Sequence, residues 1–191
     1  REDLFPKAER TWGHLCFPET KPDLAAVSVL VEPMLFNRRP ELWVVDLKTK
    51  FKTLIADAEQ ENIGRQWSPD GRYFLYQRLR GDRSPYIGDL VAYDMQEKKK
   101  HLLAPVKGTD YVWARSFLKP DLLLIACEKH NARQVEKGVL AVVDLSDDNK
   151  VTVLKEGMSF SKPKTVQGIT VISDYNAATG RYTLYRLAIP E

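Results

Sequence analysis

The sequence has little cysteine, little histidine and no long apolar run, and each shortage removes a class of protein. Two cysteines, Cys16 and Cys127, in 191 residues are too few and too far apart for a disulfide-stapled scaffold. Both sit in apolar, strand-like surroundings, so two buried free thiols are expected and the compartment stays open. The longest apolar run, Leu122 to Cys127, is strand-length, well short of the ~20 residues that cross a bilayer, so no membrane span is expected. The chain opens at Arg1 with neither an initiator Met nor a signal peptide, which reads as a processed or trimmed end. No sign of charge dominates. Against 26 acidic residues stand 29 Lys and Arg, a net charge of +3, and this mild excess excludes a dedicated nucleic-acid binder. The Lys98-Lys99-Lys100 run reads as a solvated hairpin turn whose charge discourages edge pairing. G-x-S-x-G, H-E-x-x-H, paired C-x-x-C, Walker and dinucleotide fingerprints are all missing, so no catalytic residue, metal ligand set or cofactor is assigned.

What is present is a repeat. The strand-like segments Leu42-Trp43-Val44-Val45-Asp46-Leu47, Leu90-Val91-Ala92-Tyr93-Asp94-Met95 and Leu140-Ala141-Val142-Val143-Asp144-Leu145 are followed by a weaker copy at Tyr182-Thr183-Leu184-Tyr185-Arg186-Leu187. The first three copies each end at a polar turn. A second series keeps the same phase: Phe17-Pro18 running on to Pro22-Asp23, Trp67-Ser68-Pro69-Asp70-Gly71, and Phe117-Leu118-Lys119-Pro120-Asp121. In the best-preserved copy Pro69 and Asp70 suit the two corners of a type I turn and Gly71 accepts the positive φ of the exit, while Trp67 offers a flat face for packing on a neighbouring sheet.

Two motifs sharing one period divide the chain into units of four short antiparallel strands, A to D, with no helix. The expected fold is all-β, a β-propeller of about four four-stranded blades in a single domain, 1–191. The blades fall at about 12–58, 62–107, 111–156, and 159–191 completed by residues 2–8. Asp3-Leu4-Phe5-Pro6 resembles the outer strands and is expected to close the ring against the last blade. The alternative is part of a larger six- to eight-bladed ring.

With Trp67 to Gly71 followed by the Leu-x-x-x-Asp strand, the chain resembles the TolB-type propellers, whose blades carry a W-S-P-D-G turn, and more weakly the oligogalacturonate-lyase-like propellers. The resemblance covers residues 12–158 well. It implies a periplasmic or secreted location and leaves function open between interaction scaffolds, peptidase-associated propellers and lyases. In the lyases a Gly-His precedes the blade anchor and several such histidines meet at a metal. Gly13-His14 matches, but the corresponding residues of the next two repeats are Gly64 and Ala114, neither a ligand.

In such a fold the B–C and D–A loops share one face. The B–C loops are expected to carry Arg38 and Arg39, then Arg78, Arg80 and Arg83, then Lys129, His130, Arg133 and Lys137. Arg65 and Arg115, each two residues before its anchor, stand near the axis with His14. Arginine forks bind carboxylates and phosphates bidentately, so the expectation is a non-enzymatic binding propeller for an acidic protein or acidic glycan. The alternatives are a polysaccharide-lyase-like enzyme or enzyme remnant and a fragment of a larger propeller. Asp57, Glu59 and Glu61 lie on the same face and offset part of this charge.

Overall fold

A computed structural model of the chain describes residues 10–11, 15–30, 40–57, 62–79, 88–131, 134–166 and 169–188. Among these all regular structure is β-strand, in antiparallel sheets. The chain divides into two compact units, residues 1–85 with 91–100, and residues 86–90 with 101–191.

In the first unit, β1 (Arg10–Thr11), β2 (Leu24–Leu30), β3 (Pro40–Asp46) and β4 (Lys52–Ala56) form one sheet in that order. β5 (Asn62–Trp67), β6 (Tyr73–Leu79), β7 (Gly88–Asp94) and β8 (Lys99–Leu103) form the next, of which residues 88–90 and 101–103 are counted with the second unit. Alternation along the strands gives each sheet two apolar faces. Ala26, Leu42, Val44 and Ile55 of the first sheet bury against Trp67, Phe74, Tyr76 and Tyr93 of the second. Each of the larger aliphatic and Phe side chains among these contributes roughly 1.5–3 kcal/mol by leaving water.

The W-S-P-D-G turn links β5 to β6 within the second sheet and also contacts the first. Gly71 N donates to Ser68 O at 2.9 Å, closing the reversal, and Gly71 takes the expected left-handed φ of 67°. Ser68 Oγ donates to Asp70 Oδ1 at 2.6 Å and accepts from Tyr73 N at 2.8 Å, and Asp70 Oδ1 also accepts from Arg72 N. The polar groups of the turn are thus satisfied locally. Trp67 packs against Phe74 with the rings tilted and their centroids 4.8 Å apart, and its Nε1 donates to Cys16 O at 2.9 Å in the first sheet. Phe17, the corresponding anchor of the first repeat, is 48% exposed.

The aspartate ending each copy of the Leu-x-x-x-Asp segment caps the turn that follows. Asp46 Oδ1 accepts from Lys48 N and Thr49 N, and Asp94 Oδ1 from Gln96 N and Glu97 N. In the second unit Asp144 Oδ1 accepts from Ser146 N and Asp147 N. The turns leave through a left-handed residue, Lys50, Lys98 or Asn149. Asp94 is buried, and its Oδ2 accepts from Arg72 Nε at 3.0 Å and Nη2 at 2.7 Å. Burial pushes its carboxyl up, but the Arg72 guanidinium and the two turn N–H groups outweigh that and hold it below the usual carboxylate value.

In the second unit β9 (Tyr111–Phe117), β10 (Leu122–Asn131), β11 (Gln134–Asp144) and β12 (Lys150–Gly157) form a sheet. In the last sheet β13 (Ser159–Phe160) and β14 (Lys164–Val166) share one side of β15 (Ile169–Asn176), and β16 (Arg181–Arg186) pairs on the other. Leu124, Ala126, Leu140 and Val142 of the third sheet bury against Phe160 and Ile172 of the fourth. Leu187 N donates to Thr170 O as Leu47 N does to Asp23 O, Met95 N to Arg72 O and Leu145 N to Asp121 O. The weak fourth copy at Tyr182 to Leu187 therefore holds the same place in its sheet as the other three. The expected closing strand, Asp3 to Pro6, lies outside the described residues.

Two predictions follow from this packing. Trp67→Ala should cost about 3–5 kcal/mol of unfolding free energy by urea denaturation, and Trp67→Phe, which keeps the ring contact but not the Nε1 donor, about 1–2 kcal/mol. Asp46 is also held low, chiefly by Thr49 N–H, and Asp144 chiefly by the Ser146 hydroxyl. With folded values depressed, the stability these carboxylates supply is complete above the unfolded value near ~3.9 and is lost as pH falls through the folded values. The urea midpoint should therefore drop below about pH 4. Asp94→Asn, which discards the Arg72 pair, should flatten that drop and cost about 1–2 kcal/mol at neutral pH.

Candidate functional site

The arginines singled out by sequence are reached unevenly. Arg38, Arg39, Arg80, Arg83, Arg133 and His14 lie outside the described residues. Arg65 falls on β5 opposite Tyr76. Arg78 is on β6 rather than in a loop, opposite Asn62, because that strand pairs further than its apolar core suggests. In the third repeat β10 and β11 extend as one long hairpin, so Lys129, His130 and Lys137 stand on strands. Lys129 pairs with Glu136 at 2.8 Å and Lys137 with Glu156 at 2.9 Å. Two of the cations expected on this face are therefore already matched by carboxylates.

Arg115 is placed differently. Ala114 faces Ile125 and Ser116 faces Leu124, so Arg115 is the extra residue of a β-bulge in the edge strand β9, a device that re-aims a side chain. The corresponding bulge of β5 skips Gly64 instead, so two arginines at the same spacing from their anchors do not stand alike. The Arg115 guanidinium is mostly buried, with Nη2 3.5 Å from Glu128 Oε1, and its Nε is buried with no hydrogen-bond partner among the described residues. Burial draws its pKa down from the ordinary value and the Glu128 carboxylate opposes this; the group stays cationic at any working pH.

Glu128 gathers the surrounding donors. It is 6% exposed, with Oε2 3.0 Å from His130 Nε2 and Oε1 accepting from Ser159 Oγ at 3.0 Å. The Tyr111 ring lies against the His130 imidazole, centroids 4.5 Å apart. Ser159 is fixed from its own sheet, since Met158 N and Ser159 N both donate to Asp174 Oδ1 at 2.9 Å. Two glycines let the chain cross here. A Cβ on Gly138 would lie 1.9 Å from Met158 O, and one on Gly157 would lie 2.4 Å from Asp174 Oδ2. The result is a low-dielectric cluster of one arginine, one carboxylate, one imidazole and one hydroxyl, able to hold an anion beside Arg115 or to anchor one sheet on the next.

Sequence reasoning reached Arg115 and named His130, but missed Glu128, Ser159 and Asp174. Glu128 had a readable signal. It ends the apolar run of a central strand, and His130 follows at the two-residue spacing that puts both on one face. Ser159 and Asp174 meet it through tertiary packing alone.

No family model and no curated protein matches the chain. Solved structures do. An acylaminoacyl peptidase from Pyrococcus horikoshii aligns over 100% of this chain and 33% of its own, at 14% identity and a TM-score of 0.60. The β-propeller domain of the Trilobed protease from Pyrococcus furiosus, described as having an open velcro topology, aligns over 93% of this chain and 55% of its own, at 16% identity and a TM-score of 0.59. An oligogalacturonate lyase in complex with manganese aligns over 93% and 49%, at 16% identity and a TM-score of 0.50. The chain thus spans about a third to a half of the lengths of the proteins it resembles. At these identities the likeness concerns the fold, and the fold is that of a β-propeller.

Proposed function

We propose that this chain is a non-enzymatic binding propeller, one domain over residues 1–191, that holds an acidic protein or acidic glycan. The grip comes from arginines on one loop-bearing face: Arg38, Arg39, Arg78, Arg80, Arg83 and Arg133, with Arg65, Arg115 and His14 toward the axis. The observation that supports this reading is the state of Arg115. Its charge is permanent and largely withdrawn from water, its one described carboxylate neighbour is 3.5 Å away and shared with His130 and Ser159, and its Nε donor is unspent. A ligand carboxylate would supply the missing acceptor in the bidentate geometry a guanidinium favours. The pairing of Lys129 and Lys137 with their own glutamates concentrates the reading on arginines.

The test uses immobilised polyglutamate and polygalacturonate as separate acidic probes. The wild-type chain should be retained by one of them at low salt, which also decides between protein-like and glycan-like partners. The triple variant Arg38→Glu, Arg80→Glu, Arg133→Glu should lose at least about tenfold in affinity with an unchanged melting temperature. Retention equal to wild type would refute the reading. A double-mutant cycle on the buried pair is expected to be strongly non-additive. Glu128→Leu should cost about 3 kcal/mol by stranding Arg115, and the Arg115→Leu, Glu128→Leu double variant should recover most of it.

A further inference from the structure

Glu128 and His130 give the Arg115 site a feature that anion binding alone does not require. The two oxygens of Glu128 are engaged differently. Oε1 accepts from Ser159 Oγ at 3.0 Å and lies 3.5 Å from Arg115 Nη2, while Oε2 lies 3.0 Å from His130 Nε2. A carboxylate only accepts, so Nε2 carries the proton in that contact, and the other ring nitrogen takes the second proton when the imidazole becomes charged. The Arg115 and His130 side chains keep 17% and 25% of their surface in solvent, against 8% for Glu128. An anion and a proton therefore have a way in, while the carboxylate between them depends on its protein partners.

The charge of the cluster is set by the imidazole. With His130 neutral, guanidinium and carboxylate cancel, and an incoming anion meets the Glu128 carboxylate across the same guanidinium. With His130 protonated, the carboxylate faces two cations and the cluster carries one net positive charge. In a site withdrawn from water that difference acts more strongly than on an open surface. The surrounding charged groups do not supply it. Lys129 on β10 is held by Glu136 of β11, and Lys137 on β11 by Glu156 of β12. Asp174 on β15 accepts from Met158 N and Ser159 N. On the β9 side Tyr111 packs its ring against His130, and the exposed Asp110 beside it donates its backbone N–H to Glu128 O. The Cys127 thiol, next to Glu128 in the chain, is pushed up by burial. Among these side chains, histidine is the type that changes charge between about pH 5 and pH 8.

We propose, resting on the reading of Arg115 as an anion-binding residue, that this site is proton-gated: Glu128 is a built-in competitor for Arg115, and protonation of His130 releases Arg115 to an external carboxylate. Ser159 assists by holding Oε1 when Arg115 turns to the ligand. Because coupling between sites is reciprocal, anion binding in turn draws a proton onto the cluster.

The test measures binding of the full chain to rhodamine-labelled polygalacturonate and polyglutamate by anisotropy, at constant ionic strength, from about pH 8 to about pH 5.5. Affinity for the probe that binds should rise at least about tenfold over this span. His130→Gln, which keeps a donor for Glu128, should abolish the rise, while His101→Gln, on β8, should keep it. Glu128→Gln, which removes the competing charge, should bind at about pH 8 at least as tightly as the wild type does at about pH 5.5. Calorimetry at about pH 6.5 in buffers of different ionisation heat should show proton uptake on binding by the wild type and none by His130→Gln. An affinity that does not change with pH, or a rise that survives His130→Gln, overturns the proton gate and leaves the anion-binding reading standing. Failure of both probes to bind at any pH overturns the two together.

Discussion

A sheet of four short strands has two apolar faces and cannot be stable until both are covered. That requirement organises everything described here. Within the first unit the second sheet covers the first, and within the second unit the fourth covers the third, in each case through side chains that alternate along central strands. Trp67 makes the requirement specific. Its ring packs on its own sheet while its N–H reaches Cys16 O in the sheet before, so the turn that reverses the chain also fixes how one sheet meets another. The aromatic at the corresponding place of the first repeat, Phe17, is half exposed.

The fold was legible because its signals are local. A turn needing a positive φ places Gly71, and a turn needing an acceptor for two N–H groups places Asp46, Asp94 and Asp144, the second recurring with the period of the sheets. The degraded fourth copy was legible too, although Arg186 replaces the aspartate, because the backbone bond from Leu187 N keeps its place. What local signals do not carry is strand length. Arg78 and His130 read as loop residues and proved to be on strands, since cross-strand partners such as Asn62 and Val135 decide where pairing stops.

The candidate site was legible only in part, for the same reason. Arg115 could be found from its distance to Phe117, but its burial depends on a bulge that nothing in the spacing announces, and in β5 the bulge falls on Gly64 rather than on Arg65. Glu128 gains its meaning from Ser159, thirty-one residues away, and from the close backbone passage that Gly138 and Gly157 permit. A carboxylate so enclosed is stable only with partners. The site and the packing of one sheet on the next are therefore one arrangement seen from two sides.

The central claim, that sheets bury their faces on one another through the Trp67 anchor, is tested most directly by the indole N–H of Trp67. In heteronuclear spectra of the full chain in D2O this proton should persist as long as the backbone amides of β6 and show a cross-relaxation peak to Cys16 Hα. Exchange within minutes, as for an indole free in water, with no such peak, would contradict the account.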